Sequence, residues 1–364
     1  MPVFFINAKT QFENLGDGVI TRQLIALARQ HGPVSVLVVG VPAHFRRTLD
    51  LVQGEAVEST HTFLVRFLRA RMLRRSGSQR VTGSVFYLLN PGGFEGEFRI
   101  SQLLRQFALI VALVFLRLLG IQLIRIGCSL GPFGSRRLII ERIKSRLLTH
   151  LSARDPISIE YAKSHGLGLA EYFPDLAFLL PKPALVRKAE DRPVVCFSFR
   201  SVKVELGYDA KIESVLRGVV ATAPKDVHFL VITQVGFDHI HNRELANRLG
   251  IASRCEFIDV SSDLNAAEAA YRNVDIVFSN RLHVLLVAMR QGAKIVAVLD
   301  PVKNRKIVGI FEAIGFGHCI WDINDKAILT YEDALYTDMQ RGAEVFEQQG
   351  RYATEVFTQW VRTQ

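Results

Sequence analysis

Short apolar segments with the composition of buried strands recur along the chain, and segments with helical spacing alternate with them. Val3–Ile6 and Val34–Val39 are two such strands, and Val19–Gln30 between them carries apolar residues at helical spacing. Continuous apolar strands joined by helices are typical of parallel sheets that are covered on both faces. The sequence therefore predicts an α/β protein built on doubly wound parallel sheets.

The same alternation begins again after 181–193, a polar stretch that holds three prolines and has no apolar period. A break of this kind is typical of a linker. We therefore predict two Rossmann-like domains facing a cleft: 1–180 as the N-terminal domain, 181–193 as the linker, 194–330 as the C-terminal domain and 331–364 as terminal helices. The ligand site of such a fold is expected at the carboxyl ends of the strands.

Charge is distributed unevenly over the 364 residues. The whole chain has 45 Lys/Arg against 35 Asp/Glu, a net charge of +10. Residues 61–154 hold sixteen basic residues against three acids, whereas residues 320–364 hold four against eight. The basic half predicts an anionic partner, which leaves nucleic acid, an anionic membrane and a phosphorylated substrate open. Its aromatic residues follow core spacing and form no stacking platform, so we expect no nucleic acid.

Two segments bear on membrane contact. Gln106–Leu116 is about half the roughly 20 apolar residues that a spanning helix needs, and it is predicted to be a buried helix. Residues 61–80 alternate apolar residues with arginine. That pattern fits a surface helix with a solvated basic face, and it also fits peripheral contact with an anionic leaflet. No signal peptide precedes the first strand, so a cytoplasmic protein is expected.

The four cysteines lie in or near apolar segments and lack metal-ligand spacing. We predict that they are reduced core thiols and that the protein has no metal site.

Candidate binding loops of the first half follow its strands. In Asn14-Leu15-Gly16-Asp17, Gly16 permits close approach of a ligand, and Asp17 is either a helix cap or a base. Gly92 and Gly93 follow Pro91 directly after a strand, and they form either a plain turn or a place where a ligand meets bare backbone.

A second glycine-rich loop, Ser129–Gly134, precedes Arg136 and Arg137. The loop and its two arginines are predicted to be either a phosphate cradle or an ordinary solvated helix start. Farther along, Arg154 precedes a helix for which Asp155 or Ser158 is the expected N-cap.

The strongest candidates lie in the second half. Arg281 and His283 stand where a buried strand gives way to a helix, and Arg200 also follows a strand. Lys303 and Lys306 occupy the loop after the next strand. Because carboxyl ends of parallel strands meet at one edge, these cations are expected to converge on a small polyanion such as a phosphate ester.

In order and spacing these elements resemble the polysaccharide pyruvyl transferase family over about residues 14–316. The elements that carry the resemblance are N-x-G-D at 14–17, the glycines at 92–93, S-x-G-P-F at 129–133, R-D-x-x-S at 154–158, Pro174-Asp175, the strand ending in Arg200, R-L-H at 281–283 and the lysine-bearing loop. Two departures are Pro91 and Cys128, where the family often has Gly and Gln. The resemblance implies a glycosyltransferase-B-like fold.

The resemblance also implies an activity, which is transfer of the pyruvyl group of phosphoenolpyruvate to two hydroxyls of a sugar. It implies phosphoenolpyruvate as co-substrate without a cofactor or metal, and a sugar acceptor that is expected to be lipid-linked at the inner face of the membrane. The implied catalytic residues are His283 and Asp17. Donor contacts fall on Arg200, Arg281 and either Lys303 or Lys306, and other substrate contacts on Asn14, Gly16, Gly92, Gly93, Gly131 and Arg154.

Two other functions fit parts of the pattern. A glycosyltransferase of the same architecture would use a nucleotide-sugar donor and would need a ribose-binding carboxylate, and no acidic pair follows His283. A non-catalytic protein that binds anionic membrane or nucleic acid would use only the basic half.

Overall fold

The computed structural model describes residues 1–75, 83–168, 170–183, 192–200, 207–336 and 339–363. These residues form two parallel sheets with alternating helices, as predicted. They divide into two compact units. Unit 1 holds residues 1–12, 20–176 and 350–364, and unit 2 holds residues 13–19 and 177–349.

Unit 1 is built on a parallel sheet with the strand order β3-β2-β1-β4-β6-β7-β8, and β5 pairs with β6. Its strands are β1 (Val3–Asn7), β2 (Val34–Leu37), β3 (Ala56–Val57), β4 (Val85–Leu89), β5 (Gly92–Gly96), β6 (Gln122–Phe133), β7 (His150–Ala153) and β8 (Ala170–Tyr172). Its helices are most of α1 (Leu15–Arg29), α2 (Ala43–Thr48), α3 (Thr60–Arg75), α4 (Ile100–Leu118), α5 (Ser135–Leu147) and α6 (Pro156–Ser164).

Unit 2 has a six-stranded parallel sheet with the order β11-β10-β9-β12-β13-β14. Its strands are β9 (Val194–Ser198), β10 (His228–Thr233), β11 (Cys255–Asp259), β12 (Ile276–Ser279), β13 (Lys294–Leu299) and β14 (Ile320–Asp322). Its helices are α7 (Tyr208–Thr222), α8 (His239–Arg248), α9 (Leu264–Arg272), α10 (Leu282–Arg290), α11 (Arg305–Ala313), α12 (Tyr331–Ala334) and the first half of α13 (Met339–Arg362).

The units depart from the predicted domain ranges at residues 13–19, 177–180 and 350–364. Residues 13–19 belong to unit 2 because the start of α1 contacts the end of β10 there: Leu15 N donates to Gln234 O, and Asn14 forms a bridge with Val235. Residues 350–364, at the end of α13, belong to unit 1. Most of the predicted linker lies outside the described residues.

Two glycine-rich segments predicted as loops are strands. Strand β6 continues through 127–133, and β5 pairs with it in parallel from Gly92 opposite Cys128. All four cysteines are free. Cys128, Cys196 and Cys319 are buried as predicted for core thiols, whereas Cys255 is only partly buried.

Helix α4 is not the buried helix that its composition predicts. Leu113 is its one fully buried residue, while Leu104 and Leu118 on the outer face are 81% and 80% exposed. By length and composition α4 could also cross a membrane, and within the described ranges no other helix meets that test. Apolar content alone does not reveal which faces of a helix the rest of the fold covers.

A buried charge cluster joins β6 to α5. Glu141 accepts a hydrogen bond from Arg125 Nη1 at 2.9 Å and also pairs with Lys144, and all three side chains are at most 5% exposed. Burial, together with the positive charge of Arg125, lowers the pKa of Lys144 to about 8. Two cations therefore share one carboxylate in a site that water does not screen.

The low pKa of Lys144 makes stability depend on pH. The lysine binds its proton less tightly in the folded chain than in the unfolded chain, so its ammonium form opposes folding at neutral pH, and this cost is relieved as pH rises from about 8 to 10.5. We expect the free energy of unfolding of Lys144→Met to exceed that of wild type by the largest margin near pH 7. That advantage should shrink by up to about 3 kcal/mol toward pH 10. Urea unfolding of both proteins across this range measures the difference, and a constant difference would contradict the assignment.

Candidate active site

The six-stranded sheet of unit 2 reverses its strand order between β9 and β12. The chain passes from β9 to β10 and β11 on one side, and then to β12 on the other. Ser198 and Ser279 pair in register at the carboxyl ends of β9 and β12. Loops at such a reversal diverge and leave room for a ligand. Arg200 and Arg281, predicted as donor contacts, follow these two strands.

Asn280 holds the loops after β9 and β12 together. Its Oδ1 accepts from Arg200 N at 2.7 Å, and its Nδ2 donates to Arg200 O at 3.0 Å. The side-chain amide of Asn280 thus takes the place of a neighbouring backbone and extends the pairing of β9 and β12 by one residue. Ser279 Oγ accepts from Arg281 N at 3.0 Å and donates to Ser198 O. Both arginines therefore start from fixed backbone positions.

Arg281 forms an ion pair with Asp238, a residue that the sequence did not single out. Asp238 ends a short 3-10 turn after β10 and is 4% exposed. Burial raises the pKa of Asp238, although Arg281 and Arg200 act in the opposite direction. Arg281 Nε is also buried and has no hydrogen-bond partner among the described residues. The one signal available in sequence was that Asp238 follows a strand of the same sheet.

His283 lies in the first turn of α10 and touches Gly16. A Cβ at Gly16 would lie 2.8 Å from Cγ and 2.9 Å from Cβ of His283, so only glycine leaves this space for the imidazole. The predicted N-x-G-D loop and the predicted R-L-H element therefore meet within unit 2. No local pattern indicates this contact, because 267 positions separate the two residues in the sequence.

Asn14, and not Asp17, caps the start of α1. Asn14 Oδ1 accepts from Gly16 N at 3.1 Å, while its Nδ2 donates to Asp17 Oδ1 at 3.0 Å. The cap is thus filled by the asparagine, and the half-buried Asp17 carboxylate is oriented by its amide. Of the two roles that the sequence left open for Asp17, the geometry is against the cap.

The two candidate lysines differ in their surroundings. Lys303 is half-exposed, and its Nζ lies 3.7 Å from Asp300 Oδ2 at the end of β13. Lys306 lies in the first turn of α11 and is partly buried. Both belong to the loop region at the same edge of the sheet as Arg200 and Arg281. In the part of the chain that the structure describes, no group of three or more metal-ligating side chains comes together.

Arg154, a predicted substrate contact in unit 1, is 3% exposed and anchors a loop. Its guanidinium pairs with Asp175, and its Nε donates to Ser129 Oγ at 2.9 Å. Asp155 is the N-cap of α6 and accepts from Ser158 N at 2.7 Å. It is one of the two residues that the sequence predicted for this cap. Hydrogen bonds from the R-D-x-x-S element thus hold the S-x-G-P-F segment in place.

Two of the three predicted glycines of unit 1, Gly92 and Gly131, are required by the local structure. Gly131 has a φ of +76°, and a Cβ there would lie 2.5 Å from Cζ of Tyr161. Gly92 is buried with a φ of +120° at the start of β5. Gly93 is exposed, and a Cβ there would lie 3.7 Å from Arg154 Nη2. Gly93 is therefore the exposed point next to the buried Arg154 network.

The predicted phosphate cradle at Arg136 and Arg137 is already filled by an acidic side chain. Glu97 accepts from Arg136 N at 3.1 Å and from Arg137 N at 2.9 Å at the start of α5. The Arg137 guanidinium lies over the rings of Phe98 and Phe133. Because a carboxylate of the chain itself takes these N–H groups, the geometry is against the cradle, which was one of the two interpretations that the sequence left open.

Solved structures define the class of fold. The chain is similar to HepE of Anabaena in complex with UDP, with a TM-score of 0.60 at 12% identity over 100% of both chains. It is similar to the MnaA–UDP structure of S. aureus, with a TM-score of 0.56 at 11% identity over 98% of this chain and 95% of that one. UDP-GlcNAc 2-epimerase from Neisseria meningitidis gives 0.53 at 10% identity over 100% of both chains. These likenesses establish a glycosyltransferase-B-like fold of two Rossmann-like units.

The family follows from the sequence. The family model described as polysaccharide pyruvyl transferase matches residues 14–299, from the Asn14 cap to the end of β13. The chain therefore belongs to the polysaccharide pyruvyl transferase family, and it is a transferase that acts in polysaccharide modification. No curated protein matches the chain in sequence.

Proposed function

We propose that the protein transfers the pyruvyl group of phosphoenolpyruvate to two hydroxyls of a sugar, which forms a ketal and releases phosphate. The observation that carries this proposal is the pair of arginines at the strand reversal of unit 2. Arg281 is largely buried and keeps an unpartnered Nε, and Arg200 is near enough to influence the pKa of Asp238. Phosphoenolpyruvate offers the two anionic groups that such a pair binds.

In the proposed reaction His283 protonates the methylene carbon of phosphoenolpyruvate. The first sugar hydroxyl attacks the resulting oxocarbenium-like carbon and gives its proton to Asp17. The C–O bond to phosphate then breaks, and the second hydroxyl adds at the same carbon and gives its proton to His283, which regains the proton it had donated. Arg281 and Arg200 hold the donor, and Lys306 or Lys303 stabilises the departing phosphate. These cations neutralise the donor's charge, so the proposal invokes no metal or cofactor.

For the acceptor we propose a lipid-linked precursor of an exopolysaccharide or another cell-surface glycan, handled by unit 1 at the inner face of the membrane. The excess of basic residues in 61–154 and the exposed Gly93 beside Arg154 support unit 1 as the unit that binds the acceptor. The proposal places the protein in the cytoplasm, where phosphoenolpyruvate is available.

Ligand-dependent stability tests the donor. We expect phosphoenolpyruvate at about 100 times its Kd to raise the free energy of unfolding by about 2.7 kcal/mol, with no comparable shift from UDP-sugars. Phosphate release should then follow when a panel of lipid-linked oligosaccharides is added. A shift from UDP-sugars alone would instead support the nucleotide-sugar glycosyltransferase.

The Arg200→Gln variant locates the donor on unit 2. Because the guanidinium is exposed and its backbone is held by Asn280, the substitution should leave folding intact and raise KM for phosphoenolpyruvate tenfold or more. Lys225→Gln is the matched control, since Lys225 is exposed just before β10, at the opposite edge of the sheet. Equal KM values in the two variants would refute the assignment of Arg200.

A further inference from the structure

The outer face of α4 is an exposed apolar surface about 28 Å long, the length of a 19-residue helix. It is formed by side chains that recur at helical spacing on one side: Ile100, Leu104, Phe107, Val111, Phe115 and Leu118. Each of these six is more than half exposed. A stripe of this size is far more than scattered surface hydrophobes and indicates a contact surface.

The two neighbouring helices extend this surface. Helix α3 shares a core with α4 through Phe63, Phe67 and Leu113, and Leu64 and Met72 of α3 are exposed. Helix α5 also packs on α4, where Lys144 donates to Gln106 at 3.2 Å. Ile139 of α5 is 57% exposed. We name the exposed faces of α3, α4 and α5 the α4 surface.

The exposed charged side chains of the three helices are basic, and the exposed Glu97 lies at the start of α5. Helices α3 and α4 contain no Asp or Glu, and the one acid of α5, Glu141, is buried against Arg125 and Lys144. Exposed arginines lie on all three helices, among them Arg69, Arg105, Arg117, Arg136 and Arg146. An anionic partner would meet both the apolar stripe and its basic surroundings.

The structure is against a spanning role for α4. Its inner face, including Leu109 and Leu116, packs on the core of unit 1, and β6 begins at Gln122 and pairs with β4. The helix is thus held against the core of unit 1 by its inner face. A second copy of the chain is also disfavoured, because a symmetric contact through this face would place basic residues against basic residues.

We propose that the α4 surface binds the surface of an anionic lipid bilayer. The apolar side chains of α4 enter the boundary between headgroups and acyl chains, and the arginines contact lipid phosphates. The helix lies parallel to the membrane plane. This surface differs from the membrane contact that was one of the two interpretations of 61–80, because α4 forms its centre and α3 only a flank. Residues 76–80 of that segment lie outside the described residues. It does not depend on which donor unit 2 binds.

Co-sedimentation with vesicles tests the proposal. We expect the full chain to sediment with vesicles that contain phosphatidylglycerol, and much less with pure phosphatidylcholine or at high salt. The Leu104→Gln/Val111→Gln/Leu118→Gln variant should lower the partition coefficient at least about 100-fold. Arg105→Gln alone should lower it about fivefold. Because these side chains are exposed, thermal unfolding should be unchanged.

The matched control is Val52→Gln/Ile328→Gln/Tyr336→Gln, which removes three exposed apolar side chains elsewhere. It should bind vesicles like wild type. A Phe107→Trp variant adds a depth probe, whose fluorescence should be quenched by lipids brominated on the acyl chains. Sedimentation that the α4 variant does not weaken, or an unquenched Trp at 107, would overturn the proposal. So would a wild-type dimer that the α4 variant splits into monomers without any vesicle binding.

Discussion

Phosphate release from phosphoenolpyruvate is expected to fall about 1000-fold or more when Arg281 is replaced by glutamine. Arg281 is the cation that the unit 2 sheet fixes most firmly, through Ser279 and Asp238. Its loss removes a charge-assisted contact to the donor in a site largely shielded from water. Steady-state release of phosphate with saturating acceptor measures the effect on kcat/KM.

The same substitution should destabilise the fold in a pH-dependent way. It leaves the Asp238 carboxylate buried without its cation, which costs about 3–5 kcal/mol. Burial already raises the pKa of Asp238, and losing Arg281 raises it further. The folded variant then binds more protons than the unfolded chain above about pH 4, so its free energy of unfolding falls as pH rises toward neutrality. Urea unfolding at several pH values follows this loss.

Two further variants separate donor binding from folding. Arg281→Gln/Asp238→Asn removes the buried charge as well, and should recover stability without recovering activity. Arg290→Gln removes another largely buried arginine, at the other end of α10, where it pairs with the exposed Glu347. This variant should have a lower free energy of unfolding and an unchanged kcat/KM. Activity restored together with stability in the double variant would mean that Arg281 acts only through the fold.

Most of the fold could be predicted because buried parallel strands have continuous apolar sequences. Strand β9 and strand β12 are examples, and the residues that follow them are the arginines now found at the strand reversal. Strand β5 and the end of β6 could not be predicted in the same way. Their glycines carry no strand propensity, and pairing with distant segments fixes them.

The candidate site shows the same division. Arg281 and His283 were visible as charged residues at a strand end, whereas Asp238 and the role of Gly16 depend on contacts between segments far apart in sequence. The filled helix start at Arg136 and Arg137 is a further case, since its anion, Glu97, comes from about 40 residues earlier. Local pattern identifies the groups that can bind a ligand, and only tertiary contacts decide which of them are already paired.

The contact between Gly16 and His283 leads to the second large effect. Alanine is a better helix former than glycine by up to about 1 kcal/mol, so Gly16→Ala would favour α1 by propensity alone. Its methyl carbon, however, would lie within 3 Å of the Cβ and Cγ of His283. Two carbon atoms cannot approach that closely without a clash. The imidazole must therefore move by about 1 Å, and a displacement of that size can cost about 100-fold in rate.

We accordingly expect Gly16→Ala to lower kcat about 100-fold, while KM for phosphoenolpyruvate and the free energy of unfolding change little. Gly342→Ala is the matched control, a helical glycine of α13 in unit 2 where a Cβ would meet only the flexible Met289, at 3.3 Å. Replacing His283 by alanine in the Gly16→Ala background should cause little further loss, because the imidazole is already out of place. If instead the two substitutions multiplied their separate effects, Gly16 would act on the reaction by a route other than the position of His283.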